Sequence, residues 1–208
     1  MTSVSTTNAA TSEMMESPLH NRVAHTNASN AGVVMKEDKY RGQLNLRGNV
    51  GDAAFSSAVE LVLGVALPTA PNTSARNGAT VVYWLGPNEW LILLASGTQT
   101  QVEADLRAAI ANEGGDQHIA ITDLSSGQTL VNLSGSGLSK LLQKSTVYDC
   151  HESNFPAGKV VQTTFAKTGT TMCKLDDGSM DLVIRRSFSD YFFLWLQDAS
   201  EEYGLSVE

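Results

Sequence analysis

Apolar positions recur along this chain with two periods, one near two residues and one near three and a half, and the same order of periods occurs twice. In the first pass, Gln43 to Gly48 alternates as a strand and Asp52 to Leu63 follows helical spacing. Strands over Thr80 to Leu85 and Trp90 to Ala95 then flank the turn Gly86-Pro87-Asn88-Glu89, and a helix follows Thr100. In the second pass, a strand over Thr129 to Gly135 leads into a helix near Ser136 to Gln143. Strands over Thr170 to Leu175 and Met180 to Arg186 flank Asp176-Asp177-Gly178-Ser179, and a helix follows Ser187. Each pass reads β-α-β-β-α, the first over about 43–113 and the second over about 119–204. Leu130 stands 86 positions after Leu44, and Leu175 stands 90 after Leu85. Few side chains match between the passes, so the repeat is one of pattern. The expected fold is α+β, two β-α-β-β-α repeats packed as one compact unit.

Local signals agree with this reading. Asp52 is placed to cap the helix that carries Phe55, Val59, Val62 and Leu63, and Gly64 is placed to stop it. Thr100 and Glu103 form a capping-box pattern before Val102, Leu106 and Ile110, with Gly114 at the end. Ser187 and Asp190 resemble the same device before Phe192, Trp195, Leu196 and Ala199, with Gly204 as the stop. Pro87 fixes φ early in one hairpin turn, and Asp177-Gly178 supplies positive φ in the other. The stretches Pro68 to Asn77 and Asp149 to Lys159 read as loops.

Residues 1–35 are rich in Ser, Thr, Asn and Ala and read as a mobile polar tail ahead of a domain over 36–208. With 208 residues, 42% of them hydrophobic, the chain is large enough for a sizeable core. Its net charge of −8 disfavours nucleic acid and anionic membranes as partners. Glu60 interrupts the longest apolar stretch, so no spanning helix is expected, and no secretory signal is evident. Cys150 and Cys173 read as reduced thiols of a cytoplasmic protein.

The chemistry-bearing residues each have a plain structural reading. Cys150-His151 lacks the further ligands that a metal needs, and His20, His25 and His118 fall in polar stretches without a shared motif. Gly135-Ser136-Gly137 lies between strand and helix, where backbone amides hold phosphate, but Lys140 stands at the third glycine of the dinucleotide fingerprint. Ser125 and Ser126 lack the earlier glycine of a nucleophile elbow. Asp176 and Asp177 suit a solvated hairpin turn, and Trp84, Trp90 and Trp195 suit the core, with aromatic surface left for a partner as the alternative. From the residues themselves no catalytic, cofactor-binding or metal site is assigned.

Three segments carry a resemblance. The run Leu85-Gly86-Pro87-Asn88-Glu89-Trp90-Leu91-Ile92-Leu93, the later Thr122-Asp123-Leu124-Ser125-Ser126-Gly127-Gln128, and Arg185-Arg186-Ser187-Phe188-Ser189-Asp190-Tyr191 with Trp195-Leu196 resemble the gamma subunit of heterotetrameric sarcosine oxidase. Ser17-Pro18-Leu19 is similar to the start of that family's ordered region. The family is related to the folate-binding T-protein of the glycine cleavage system, whose second hairpin strand begins with an acidic pair. Here only Asp181 remains, with Met180 beside it. The resemblance implies a T-protein-like fold that has lost its active site, in a complex that oxidises sarcosine to glycine with hydrogen peroxide and, with tetrahydrofolate, forms methylene-tetrahydrofolate. It implies larger alpha and beta subunits and a small delta subunit as partners, with FAD, FMN, NAD, tetrahydrofolate and zinc held by those subunits. Two other readings stand beside this noncatalytic subunit: a free-standing folate-binding or aminomethyltransferase-like protein, and a self-associating acidic domain. Ser17, Pro18, Leu19 and Arg22 are the expected interface residues, on the argument that Pro18 limits chain entropy and Leu19 offers an apolar contact beside Arg22. On that reading, deleting residues 1–22 leaves the unfolding of the isolated domain unchanged and speeds dissociation from the partners.

Overall fold

The computed structural model describes residues 16–23, 31–114 and 118–208. In chain order the elements are β1 (Val33–Asp38), β2 (Gly42–Arg47), α1 (Ala53–Leu63), β3 (Ser74–Asn77), β4 (Thr80–Gly86), β5 (Glu89–Leu94), α2 (Gln99–Glu113) and β6 (Ala120–Asp123). They continue as β7 (Gln128–Ser134), α3 (Leu138–Ser145), β8 (Val160–Phe165), β9 (Thr168–Lys174), β10 (Met180–Arg185), α4 (Ser189–Ala199) and β11 (Leu205–Val207). A six-stranded sheet runs β11-β1-β7-β10-β9-β8, and a five-stranded sheet runs β3-β4-β5-β2-β6. No helix among the described residues is long and apolar enough to cross a membrane.

Strand alternation builds four layers from these parts. In β5, Trp90, Ile92 and Leu94 pack with Phe55 and Val59 of α1 and Leu106 and Ile110 of α2. The intervening Leu91 and Leu93, with Val81 and Tyr83 of β4, face the other sheet and meet its Leu130, Cys173 and Val183 in an inner core. In β10 the phase is the same: Met180, Leu182 and Ile184 pack with Leu141 of α3 and Phe192 and Leu196 of α4, while Val183 points inward. Two helices therefore cover the outer face of each sheet, with each buried Leu, Ile or Phe contributing about 1.5–3 kcal/mol.

The connection between the halves is a reciprocal exchange of strands. β1 precedes β2 in sequence but pairs antiparallel with β7 in the six-stranded sheet. β6 precedes β7 but pairs antiparallel with β2 in the five-stranded sheet. The chain thus crosses between sheets at residues 39–41 and again at 124–127. Each repeat is β-β-α-β-β-β-α, with its first strand lent to the other, which extends the β-α-β-β-α unit expected from periodicity. Register also corrects the equivalence of Leu44 with Leu130, since Leu44 faces α1 and α2 whereas Leu130 faces the other sheet. The true counterparts are Asn45, paired with Leu91, and Asn132, paired with Asp181.

Several local expectations hold. Asp52 accepts a hydrogen bond from the Ala54 N–H, and Gly64 ends α1 at φ 67°. The capping box at Thr100 does not form, because α2 already begins at Gln99 with no side chain capping it. Ser187 falls in a 3-10 turn over Arg186–Phe188, and Ser189 opens α4 with its hydroxyl donating to the Arg186 carbonyl at 2.8 Å. The stretch expected as a loop from Pro68 contains β3, held on β4 from Asn77↔Thr80 to Ser74↔Tyr83.

The boundary expected at residue 35 falls inside β1, where Val33 and Met35 are buried against α3 and α4. Residues 16–23, also assigned to the tail, dock on the chain's own domain. Leu19 is 4% exposed within the core under α4. Ser17 Oγ donates to Glu37 Oε2 at 2.7 Å, and Thr129 Oγ1 donates to Glu37 Oε1 at 2.7 Å, so the buried carboxylate is held from both sides. Arg22 pairs with Asp190 of α4 and lies 5.8 Å from the Phe193 ring centroid. Gln197 Nε2 donates to the Val23 carbonyl. The apolar contact that Leu19 offers is thus taken by this chain itself. Leu19→Ala is expected to lower unfolding stability by about 2–4 kcal/mol and Ser17→Ala by about 1–3 kcal/mol, read from urea denaturation of the isolated chain. An unchanged midpoint in both variants would return the segment to the role of a passive leader.

Candidate functional site

The one acidic residue singled out from the second hairpin, Asp181, sits between the sheets. Alternation along β10 turns Met180 into the α3/α4 core and Asp181 to the opposite face, where it is 8% exposed. Its Oδ1 accepts from Asn132 Nδ2 at 2.9 Å, and its Oδ2 accepts from the Tyr83 hydroxyl at 3.3 Å. Burial pushes the carboxyl above the usual carboxylate range, against these hydrogen bonds and the charge of Arg76. Tyr83 is itself fully buried, and loss of solvation raises its phenol well above the ordinary value, with the nearby Cys173 and Asp181 adding to the shift. Cys173 Sγ lies 3.9 Å from Ser74 Oγ, and burial raises its thiol pKa too.

A cavity of about 220 Å³ opens beside Asp181, with Lys36, Arg41 and Arg76 on its walls. Asp38, the other carboxylate there, lies 3.4 Å from Arg41. Burial raises the Asp181 carboxyl while an amide and a phenol fix it in place, and the cavity supplies no second carboxylate free of a cation to divide acid and base roles with it. Periodicity gave no signal for Tyr83, which stands 98 positions away in sequence and reaches Asp181 only because the sheets stack.

The remaining candidates are absorbed by the fold. Gly135-Ser136-Gly137 does join a strand to a helix, but its space is filled: the Gly137 N–H donates to the Gly32 carbonyl at 2.7 Å, and a Cβ at Gly135 would collide with that same oxygen. Gly135 has φ 107°, a conformation open to glycine. A dinucleotide phosphate does not fit there. Ser125 Oγ accepts from the Gln43 N–H at 2.9 Å, and the Ser125 N–H donates to Asp123 Oδ1, so this serine closes the second crossover. Cys150 and Cys173 are free thiols, and burial holds Cys150 at a pKa of about 11. His151 bonds Ser153 within its own turn. No group of three or more potential metal ligands occurs among the described residues.

His20 bonds the Ser17 carbonyl, His118 is exposed ahead of β6, and His25 lies outside the described residues. Asp177 Oδ1 accepts from the N–H and hydroxyl of Ser179, as a turn residue should. Trp90 is fully buried with Nε1 donating to the Pro68 carbonyl, while Trp84 and Trp195 are half-buried against the two outer cores. Glu37 was missed in the sequence because the expected tail boundary cut through its strand; the odd positions Val33, Met35 and Glu37 share one face of β1.

The profile of the family described as "Sarcosine oxidase, gamma subunit family" matches residues 47–202. The chain belongs to that family. It is 30% identical over 187 residues to a sarcosine oxidase subunit gamma of Corynebacterium sp. (strain P-1), covering 89% of each sequence. It is also 30% identical over 190 residues to that of Arthrobacter sp, again covering 89% of each. A chain in the structure of heterotetrameric sarcosine oxidase from Corynebacterium sp. U-96 superposes with a TM-score of 0.79 at 27% identity, over 91% of this chain and 96% of that one. Glycine cleavage system aminomethyltransferase T from Bartonella henselae superposes with a TM-score of 0.61 at 9% identity, over 86% of this chain and 48% of that one. The second likeness is one of fold and bears out the expected architecture.

The raised pKa of Asp181 gives the gamma-family fold a pH signature. The native state keeps this proton to higher pH than the unfolded chain, so the stability tied to it is full at low pH and is lost as pH rises through the raised native value. Asp181→Asn removes the charge and keeps one of the two acceptor oxygens, toward Asn132, while its amide nitrogen can donate to the Tyr83 oxygen in place of the second. Relative to the parent chain it is therefore expected to gain stability as pH climbs from the ordinary carboxylate range to neutrality. Denaturant midpoints measured across that range check this; a constant difference between the two proteins would refute it.

Proposed function

We propose that this chain serves a heterotetrameric sarcosine oxidase as a subunit without chemistry of its own, packed against the larger flavin- and folate-binding subunits. The assembly oxidatively demethylates sarcosine to glycine, reduces oxygen to hydrogen peroxide and, with tetrahydrofolate, delivers methylene-tetrahydrofolate. FAD, FMN, NAD, tetrahydrofolate and zinc belong in this reading to the alpha, beta and delta subunits. The observation that carries the noncatalytic role is the filled Gly135-Gly137 turn: the place where a nucleotide phosphate would meet free amides is taken by the Gly32 carbonyl. Asp181 supports it as well, since both carboxylate oxygens are engaged by this chain's own Asn132 and Tyr83. The likeness to the aminomethyltransferase concerns fold and does not favour a free-standing folate enzyme. The negative net charge suits a protein partner over nucleic acid, and the two free thiols suit the cytoplasm.

Coexpression of the untagged chain with tagged alpha and beta subunits is expected to yield a complex in which all chains co-elute. The chain purified alone is expected to emerge from gel filtration colourless and to turn over no sarcosine. A flavin spectrum that stays with the isolated chain would overturn the noncatalytic role. In the assembled complex, Asp181→Asn is expected to leave folate-dependent one-carbon capture nearly unchanged. A loss of about tenfold or more, ~1.4 kcal/mol in the barrier, with intact assembly would instead make Asp181 a catalytic group.

A further inference from the structure

Six large apolar side chains stand exposed among the described residues, and four of them, Val23, Val147, Phe188 and Leu194, gather around α4. Helical spacing sends Phe192, Phe193, Leu196 and Ala199 into the core and leaves Tyr191, Leu194, Trp195 and Asp198 on the outer arc. Leu194 is 54% exposed in the middle of that arc, with Tyr191 and Trp195 half-buried beside it and Phe188 just ahead of the first turn. Neighbouring segments widen the patch on both sides. Gln197 Nε2 holds the Val23 carbonyl at 3.2 Å, which sets Val23 against one side of α4. Trp195 Nε1 donates to Ser145 Oγ at 3.0 Å, which brings the turn after α3 to the other side, with Val147 92% exposed on it. Val23, Leu194, Tyr191, Trp195 and Val147 thus form one apolar band. The neighbouring α3 turns Lys140, Gln143 and Lys144 to solvent, and the lone exposed Leu61 of α1 lies between Ser57 and Gly64, next to Glu60. A single apolar side chain of that kind is ordinary on a surface, whereas a contiguous band with Trp and Tyr in it marks an interface.

Charge selects the occupant. Helix α4 carries Asp190 and Asp198 and no Lys or Arg. The cations on its two sides are already taken, Arg22 by Asp190 and Lys144 by Glu202. Arg186, at the start of the helix, donates to the Glu16 carbonyl. At the other end Asp198 and Glu201 are exposed and have no ion pair among the described residues. A second copy of this chain, with its net charge of −8, would bring an acidic band against the same acidic band across a two-fold axis. A different chain with cations at that place meets no such repulsion. We propose that the α4 band docks on another subunit of the oxidase, on an apolar face whose rim supplies Lys or Arg to Asp198 and Glu201.

Docking through this band rests on the subunit reading, and the parent chain separates the two in the test. The full-length untagged chain and its variants are coexpressed with tagged alpha and beta subunits, and the amount that co-elutes is measured. Leu194→Glu is expected to lower it about tenfold or more, with an unchanged urea midpoint because the side chain faces solvent in the free chain. Asp198→Lys is expected to lower it about fivefold at low salt. Leu61→Glu, at a side chain 76% exposed on α1, is expected to co-elute as the parent does. If the parent itself fails to co-elute, the subunit reading falls and the band with it. A parent that co-elutes alongside undiminished Leu194→Glu and Asp198→Lys overturns the band alone, as does a loss in Leu61→Glu equal to that in Leu194→Glu. An isolated parent that sediments as a dimer, and a Leu194→Glu variant that sediments as a monomer, would give the face to a second copy and overturn the proposal too.

Discussion

The exchange of β1 and β6 is the constraint on which the rest of this structure depends. Each strand completes the sheet of the repeat it does not precede, β1 beside β7 and β6 beside β2. The two sheets are therefore held face to face by the chain itself as well as by the inner core of Tyr83, Leu91, Leu93, Leu130 and Val183. Separating the halves would break two ladders and bare that core at once, so the domain should unfold as one unit. The pairings are also distant in sequence, which places the molecule among slow, topology-limited folders.

Much of the fold was legible because its signals are local. α1 announces itself through Asp52, Gly64 and four apolar positions at helical spacing, and the hairpins β4-β5 and β9-β10 through their turns. The exchanged strands were not legible. β6 is four residues with one buried side chain, and β1 opens directly after a polar stretch, so neither carries a period long enough to read. Their partners are set by stacking, about which neighbouring residues say nothing. The one-residue error in matching Leu44 to Leu130 has the same origin: a strand's period of two shows alternation but not which face is inward.

The site followed the same rule. Asp181 could be singled out as a residue, but its environment is made by Tyr83 from the other half and by Asn132 from the neighbouring strand. What decides the properties of a buried carboxyl is the company it keeps, and all of that company is nonlocal. The first residues told the opposite story. Their composition reads as a tail, yet Leu19 in the core, the Ser17 hydroxyl on buried Glu37 and Arg22 on Asp190 seat residues 16–23 on the domain.

The filled turn at Gly135 has a consequence for how such a chain can have diverged. A phosphate-binding turn and a turn plugged by a neighbouring carbonyl need the same backbone, so changing one into the other requires no new secondary structure, only the approach of Gly32. Once seated, that approach is self-locking. Placing a ligand there would require moving the strand that follows Gly32, and with it the edge of the six-stranded sheet, so no single side-chain substitution would open the turn.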